Sequence, residues 1–161
     1  MTLHISFNEY LTLKLIIMDI EFEEYAFATP FYALSVTLRD QVLRAPLGLE
    51  FKLADLQEEW KDIHLGAFVD DQLCACLVLC KVDEHTIKMR QVAVHDDMQG
   101  RGIGSKLVLY AEQVAKDRNY KAIILNARDT AVNFYKSLNY TSVGKPFTEV
   151  GIPHLKMKKA I

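Results

Sequence analysis

The chain lacks the features that mark membrane, secreted and nucleic-acid-binding proteins. Its longest apolar runs, 11–20 and 73–80, are shorter than the roughly 20 residues that a membrane-spanning helix needs. The net charge is -2, without the basic excess that nucleic-acid-binding domains carry. No basic segment followed by an apolar stretch and a small-residue cleavage site opens the sequence. We therefore expect a cytoplasmic protein without a signal peptide, whose partners include neither a membrane nor a nucleic acid.

Cysteine is scarce as well. The three cysteines, Cys74, Cys76 and Cys80, make an odd number, which disfavours a disulfide framework. They lie on one strand-like run, where neighbouring positions form a poor tetrahedral site, and no pair of histidines at ligand spacing accompanies them. We expect no metal site and interpret the cysteines as small buried thiols in a core strand.

The rest of the composition is that of an ordinary globular domain. Half of the 161 residues are hydrophobic and 25% are charged. The length suits one domain with a full core, and no repeat, low-complexity tract or linker divides it. We therefore expect a single domain that covers residues 1–161.

Turn residues and hydrophobic periodicity predict the order of the elements. Thr29 is a suitable N-cap, and Pro30 suits the first position of a helix. The inner face of that helix is expected to carry Leu34, Leu38 and Val42. The further helices are expected at 53–60, at 105–118 and after residue 129. The strands are expected at 11–20, 63–69, 72–82, 86–94, 122–125, 140–143 and 154–160, with a solvated acidic loop at 21–24.

This order places a three-stranded antiparallel meander between two pairs of helices. Such a pattern is typical of a layered protein of the α/β class, more narrowly α+β. We expect a mixed, mostly antiparallel sheet flanked by helices.

Three of the seven glycines lie within five residues, at positions 100, 102 and 104. They follow the apolar strand-like run 90–94 and directly precede the amphipathic helix 105–118. Glycines at a strand-to-helix junction let backbone amides approach an anion closely, and the helix N-terminus adds about half a positive charge. This glycine turn therefore predicts a ligand that carries phosphate.

Two common phosphate-binding loops do not fit the spacing. A P-loop needs a second glycine five positions after Gly100, where this chain has Ser105. A dinucleotide fingerprint fits at Gly100 and Gly102, but its third glycine is again replaced by Ser105. That fingerprint also belongs in a parallel βαβ unit, whereas a meander precedes this turn. Both alternatives are rejected.

A third pattern, Gln/Arg-x-x-Gly-x-Gly/Ala, is filled by Gln99, Gly102 and Gly104 without a gap. The strand 90–94 precedes it, and the segment 134–140, which reads Phe-Tyr-x4-Tyr, follows it. With these segments the chain resembles the GNAT superfamily of N-acetyltransferases.

The resemblance covers residues 31–160 in the same element order. The tail 151–154, which reads Gly-Ile-Pro-His, is similar to that of small bacterial-type members. The resemblance implies the GNAT-like acyl-CoA N-acyltransferase fold for this chain.

The resemblance also implies acetyl-CoA as the acetyl donor. Its pyrophosphate would lie on the amides of the glycine turn, and its pantetheine and thioester carbonyl on the bulged strand before it. The backbone amide of residue 93 or 94 would polarise that carbonyl. The implied cofactor contacts in these two segments are Val92, Ala93, Val94, Gln99, Gly100, Arg101, Gly102, Ile103, Gly104 and Ser105.

Two asparagines are further candidates for the cofactor. Asn126, at the end of the paired strand, would contact the pantetheine. Arg128 occupies the position of the asparagine that is usual in the family. The cofactor contact of that asparagine would be replaced by a contact of the Arg128 guanidinium with phosphate, or by a contact of Asn133.

The resemblance assigns the acid chemistry to Tyr135, at the position of the tyrosine that protonates the departing CoA thiolate. The alternative is a core aromatic residue on an amphipathic helix. The base that deprotonates the amine would be His154 or Glu149, against the alternatives of a structural histidine and a surface carboxylate. His64 and His95 are weaker candidates. The acceptor pocket could be lined by Phe31, Tyr32 and Trp60.

The implied reaction transfers an acetyl group from acetyl-CoA to a primary amine by direct attack in a ternary complex. The acceptor would be a small molecule or a peptide amine, and the acidic residues at 21–24 hint at a cationic one. Two alternatives stay open: a non-catalytic acyl-CoA sensor on the same fold, and a protein lysine or N-terminal acetyltransferase. A homodimer is also compatible with the sequence.

Overall fold

The helices and strands follow the predicted order closely. The computed structural model describes residues 19–161, so most of the strand expected at 11–20 lies outside the described residues. The strands are β1 Glu21–Tyr25, β2 Ile63–Val69, β3 Gln72–Lys81, β4 Thr86–Val94, β5 Ala122–Arg128, β6 Thr141–Ser142, β7 Phe147–Glu149 and β8 Ile152–Ala160. The α-helices are α1 Pro30–Arg39, α2 Leu53–Gln57, α3 Ile103–Asp117 and α4 Val132–Ser137.

The described strands form one sheet in the order β1-β2-β3-β4-β5-β8-β6, with β7 also paired to β8. Neighbouring strands are antiparallel except for β4 and β5, which are parallel. This confirms the predicted fold class, a mixed and mostly antiparallel sheet with flanking helices.

Helices cover the sheet on both faces. The inner side of α3 packs against β2, β3 and β4 through Ile103, Leu107 and Ala111, which are almost fully buried. On β3 the contact residues for this side include Leu77. The next residue back along the strand, Cys76, joins Leu38 of α1 in a separate cluster. Because side chains alternate along a strand, α1 and α3 lie on opposite faces.

The start of α1 is as expected, but its buried face is not. The Thr29 hydroxyl accepts a hydrogen bond from the Tyr32 amide at 3.3 Å, as an N-cap should. Leu34 is exposed, and the buried residues are Tyr32, Ser35, Leu38 and Arg39. The prediction that Leu34 lies on the inner face is therefore wrong. That face instead includes Tyr32, Ser35 and Arg39, whose polar groups are buried because they hydrogen-bond to one another.

The acidic stretch at 21–24 is a strand and not a solvated loop. As β1 it pairs antiparallel with β2, burying Tyr25 and half-burying Phe22 while its carboxylates face outward. Glu24 accepts a hydrogen bond from Arg118 at 2.6 Å. None of its glutamates lines either cavity described below, so the stretch gives no support to a cationic acceptor.

The two central strands separate part-way along their length. β4 pairs with β5 only from Thr86 to Lys88, opposite 122–124. Beyond that point β4 stays with β3 as far as Val94, while β5 stays with β8 as far as Arg128. A V-shaped gap therefore opens in the middle of the sheet, and the candidate site lies around it.

Candidate active site

The glycine turn presents free backbone amides at the N-terminus of α3. Gly100 and Gly102 have φ of 72° and 78°, in the left-handed region that glycine enters at little cost. Gly102 is the N-cap and offers no side chain to the first amides of a 15-residue helix. A β-carbon at Gly104 would lie 3.3 Å from Val94, so this position also requires a small residue. The open amides and the helix dipole suit an anion.

A cavity of about 490 Å³ adjoins this turn. It brings together eight of the twelve residues expected to contact the cofactor. Outside its lining are the exposed Arg101 and Asn133, the buried Ala93, and Asn126. We call it the first cavity. Its lining residues are Val42, Val92, Val94, Met98, Gln99, Gly100, Gly102, Ile103, Gly104, Ser105, Ala131, Phe134 and Tyr135.

A β-bulge shapes the strand beside this cavity. The register of β4 against β3 shifts between Cys76 and Val78, and Gln91 has φ of 52°, an uncommon value for a residue other than glycine. The Gln91 side chain is held at both ends: its Oε1 accepts from Arg39 at 3.0 Å and its Nε2 donates to Glu59 at 3.3 Å. These contacts fix the strained residue at the point where the strand bends.

The partners of Gln91 form a buried ion pair. The Arg39 guanidinium donates to both carboxylate oxygens of Glu59, at 2.8 and 2.9 Å, and the Tyr32 hydroxyl adds a third donor at 2.8 Å. Burial alone would raise the pKa of Glu59, but the hydrogen bonds and charge of Arg39 lower it below its ordinary value. The sequence analysis missed this network, because its hydrogen bonds join residues 20 to 52 positions apart along the chain.

Beyond the bulge, the alternating direction of the backbone amides leaves one of the two expected amides pointing into the gap. The His95 amide donates to the Cys74 carbonyl at 2.8 Å. In an antiparallel ladder successive residues point their polar groups to opposite sides, so Ala93 faces β3 and Val94 faces away from it. In agreement, the Val94 carbonyl accepts from the Gln99 side chain at 3.0 Å. Of the two amides expected to act, that of Val94 is the one turned toward the gap.

A second cavity, of about 640 Å³, is lined by residues of both β4 and β5, the two strands that border the gap. It shares Val92, Ala131 and Tyr135 with the first cavity, so these three residues stand where the two spaces meet. Its remaining lining residues are Leu43, Arg44, Leu49, Glu50, Lys52, Asp55, Lys88, Met89, Arg90, Gln91, Leu125, Asn126, Ala127, Arg128, Glu149, Val150 and His154.

Tyr135 projects from α4 into this junction. Its ring packs edge-on against Phe134 and Tyr140, with centroid distances of 5.0 and 5.7 Å. Burial raises the pKa of its phenol to about 12. The hydroxyl therefore keeps its proton across the physiological range and can donate a hydrogen bond to a ligand in either cavity.

Glu149 and His154 meet on the β7–β8 hairpin. Val150 and Gly151, with φ of 50° and 75°, form its two-residue turn, and Glu149 Oε2 lies 3.7 Å from His154 Nε2. The buried His154 ring places Nδ1 2.8 Å from the Ile152 carbonyl. A carbonyl only accepts, so we assign the proton to Nδ1, which leaves the Nε2 lone pair free on the side of Glu149.

Two other predicted contacts lie on the second cavity. Asn126 and Arg128 line this space and not the first cavity, and Arg128 Nη2 donates to the Leu43 carbonyl at 2.8 Å. This placement gives no support to a contact of Arg128 with a phosphate at the glycine turn.

The weaker candidates lie outside both cavities. His64 is buried against the Glu59 carbonyl, and His95 is exposed and accepts from the Asp97 amide. Trp60 is 66% exposed. Phe31 is exposed and packs against Phe68 in an edge-to-face arrangement, whereas Tyr32 is buried and donates to Glu59. None of the three aromatic residues expected in the acceptor pocket lines either cavity.

Residues 19–161 contain neither a cluster suited to a metal ion nor a helix suited to cross a membrane. No cluster of three or more His, Cys, Asp or Glu in this range is arranged to hold a metal ion. No helix in the same range has both the length and the apolar character needed to cross a membrane.

Known proteins resemble this chain both in sequence and in fold. A sequence profile described as an acetyltransferase (GNAT) domain matches residues 52–161. The uncharacterized N-acetyltransferase YjcF of Bacillus subtilis is 36% identical over 73 residues, which are 45% of this chain and 52% of that protein. The chain spans about half the length of the curated relatives it matches.

Two solved structures show the likeness in three dimensions. An acyl-CoA N-acyltransferase from Pseudomonas aeruginosa superposes with a TM-score of 0.73 at 23% identity, covering 89% of this chain and 99% of that one. A GNAT family acetyltransferase from Elizabethkingia anophelis with acetyl-CoA bound gives 0.71 at 18% identity, covering 88% and 98%. At these identities the likeness is one of fold.

Proposed function

Because the chain belongs to the GNAT acetyltransferase family, we propose that it transfers the acetyl group of acetyl-CoA to a primary amine by direct attack in a ternary complex. One observation carries this proposal: two cavities reach the gap between β4 and β5 from different sides and meet at Tyr135. Such an arrangement allows donor and acceptor to be bound together, which direct attack requires.

In this proposal the first cavity holds acetyl-CoA. The pyrophosphate lies on the amides that follow Gly100 and Gly102, where the N-terminus of α3 favours negative charge. The pantetheine then runs along Val92 and Val94 toward the gap. The Elizabethkingia protein on the same fold was solved with acetyl-CoA bound, which supports this ligand class.

The acetyl carbonyl is polarised by the strand beyond the bulge. The amide of Val94 is turned toward the gap, so it can donate to the thioester oxygen and to the oxyanion of the tetrahedral intermediate. The bulge and the buried ion pair behind it keep this donor in place before the substrate arrives.

Tyr135 assists the departing thiolate. A thiol has a pKa of about 8.5, whereas burial raises the pKa of this phenol to about 12. Complete proton transfer from phenol to thiolate would therefore cost about 5 kcal/mol. The hydroxyl acts as a hydrogen-bond donor that stabilises the sulfur as its bond to carbon breaks, and the thiolate is protonated later from solvent.

On the acceptor side, the protonated amine gives its proton to a residue of the β7–β8 hairpin. The free Nε2 lone pair of His154 is the base, and the nearby Glu149 carboxylate stabilises the imidazolium that results. The neutral amine nitrogen then attacks the carbonyl carbon and loses its second proton to solvent as the intermediate collapses. The carbon–sulfur bond breaks, and CoA leaves as the thiolate.

A thiol-release assay tests the proposal. The protein is incubated with acetyl-CoA and a panel of amines that includes amino acids, polyamines, aminoglycosides and peptides with free N-termini. We expect amine-dependent release of CoA and an acetylated product by mass spectrometry. If CoA binds but no amine on the panel is acetylated, the chain is the acyl-CoA sensor of the alternative hypothesis.

A further inference from the structure

The second cavity has an excess of positive side chains. Five cationic residues line it: Arg44, Lys52, Lys88, Arg90 and Arg128. Three carboxylates line it: Glu50, Asp55 and Glu149. The wall therefore carries a formal excess of two positive charges, although the chain as a whole has a net charge of -2.

None of these five cations forms a close ion pair with a carboxylate. The ion pairs among residues 19–161 include none of the five within 4.0 Å. Arg39 does not line the cavity, and its charge is balanced because it donates two hydrogen bonds to the Glu59 carboxylate. An anion that enters the cavity would thus meet guanidinium groups whose donors are not committed to a carboxylate.

Two of the arginines are held in position by other contacts. The Arg44 guanidinium lies 3.9 Å from the centroid of the Phe51 ring, and Arg128 is fixed by its hydrogen bond to the Leu43 carbonyl. Burial and the positive charges of Arg39 and Arg90 lower the pKa of Arg44, and they outweigh the opposite effect of the Asp55 and Asp40 carboxylates. This repulsion between cations is a cost that a bound anion would relieve.

The phosphates of CoA do not account for this positive wall. Their proposed site is the glycine turn of the first cavity, and that cavity contains none of the five cationic residues. The cations share their cavity instead with Glu149 and His154, where the acceptor amine is deprotonated in the proposed mechanism.

We infer that the acceptor is an amine that also carries an anionic group, a carboxylate or a phosphate, and that Arg44 binds this anion together with Arg90 and Arg128. The inference rests on the proposed function of the same site. Arg44 then determines specificity for the acceptor without contacting acetyl-CoA. Amines with several positive charges and no anion, such as polyamines, are disfavoured by the same wall.

Matched acceptors test the inference. Acetylation is measured for amino acids against their amides, for phosphoethanolamine against ethanolamine, and for spermidine. We expect the anionic member of at least one pair to have a kcat/KM at least tenfold above its neutral partner and above spermidine. The preferred pair shows whether the anion is a carboxylate or a phosphate.

Variants identify the residue responsible. Arg44→Ala should lower kcat/KM for the anionic acceptor about 10- to 100-fold, the usual value of a hydrogen-bonded charge. It should change kcat/KM for the neutral partner and KM for acetyl-CoA less than threefold. Arg44→Lys should recover part of the loss. Lys81→Ala, which removes an exposed cation outside both cavities, is the control and should behave as the parent protein.

The inference and the proposed function fail in different ways. Equal rates for anionic and neutral partners, or a preference for spermidine, would overturn the inference while leaving an acetyltransferase. If no amine reacts, the proposed function fails, and calorimetry with the CoA-saturated protein still decides the inference. N-acetyl amino acids or N-acetylphosphoethanolamine should then bind more tightly than their neutral analogues, and much less tightly to Arg44→Ala. Absence of binding by both anionic probes overturns the inference.

Discussion

At the scale of single residues, the sequence predicted residues at the point where the two cavities meet, but not the residues that hold or surround them. Tyr135, Glu149 and His154 were named from the family resemblance, and all three line the second cavity. Arg39, Glu59 and Gln91 were not, because nothing local in a sequence shows that an arginine and a glutamate 20 positions apart will be buried together. Arg44 was missed for the same reason, since its cavity is assembled from distant segments.

The role of Tyr135 gives a prediction at this scale. Tyr135→Phe removes only the hydroxyl and keeps the aromatic packing, so we expect kcat to fall about 10- to 100-fold with little change in KM for acetyl-CoA. The pKa of about 12 keeps the phenol protonated, so Tyr135 should cause no loss of activity between pH 7 and 10. Steady-state kinetics over this pH range measure both effects.

Tyr140→Phe is the matched control for this prediction. Tyr140 packs edge-on against Tyr135 in the same core but lines neither cavity, so kcat should stay within threefold of the parent. An unchanged kcat in Tyr135→Phe would instead favour the alternative that Tyr135 is only a core aromatic residue.

At the scale of helices and strands, hydrophobic periodicity predicted the secondary structure better than the distribution of charged residues did. The meander β2–β4 was predicted almost to the residue, because turn residues and apolar runs mark its strands. β1 was taken for a loop since three of its five residues are glutamates, whereas pairing with β2 decides its structure. The three-residue β7 gave no periodic signal, although it carries Glu149.

The buried ion pair behind the bulge joins α1 to the segment after α2, and its removal should be costly. Glu59→Gln leaves the Arg39 guanidinium buried without its counter-charge, so we expect the free energy of unfolding to fall by about 3–5 kcal/mol. Urea denaturation measures this change. Glu58→Gln, which breaks the neighbouring exposed pair with Lys61, should have no measurable effect. Equal losses in the two variants would show that the buried pair has no special role.

At the scale of the whole molecule, buried phenols and thiols make stability depend on alkaline pH. Burial raises the pKa of Cys76 and Tyr32 to about 12 and that of Cys80 to about 11. Unfolding returns these groups to roughly 8.5 for a thiol and 10 for a phenol. The unfolded state therefore loses protons first, so the stabilisation from these three groups is complete below about pH 8 and is lost as the pH rises toward 12.

We expect Cys76 alone to reduce the free energy of unfolding by about 2–3 kcal/mol between pH 7.5 and 10.5. Denaturant titrations at both pH values measure the difference. Cys76→Ala removes this ionisation, so its stability should decline less steeply with pH than that of the parent, whatever its starting value. A parent protein whose stability is the same at both pH values would contradict the prediction.

The glycine turn is the feature on which the proposed function depends most, and titration with CoA tests it directly. Calorimetry should show CoA binding to the parent protein and a loss of at least tenfold in affinity for Gly102→Val, whose side chain would stand over the free amides of α3. Gly144→Val is the control, because Gly144 has a similar φ of 76° and lies outside both cavities. It should bind CoA as the parent does. No binding of CoA to the parent at millimolar concentration, or equal affinity in parent and Gly102→Val, would contradict the assignment of acetyl-CoA to this turn.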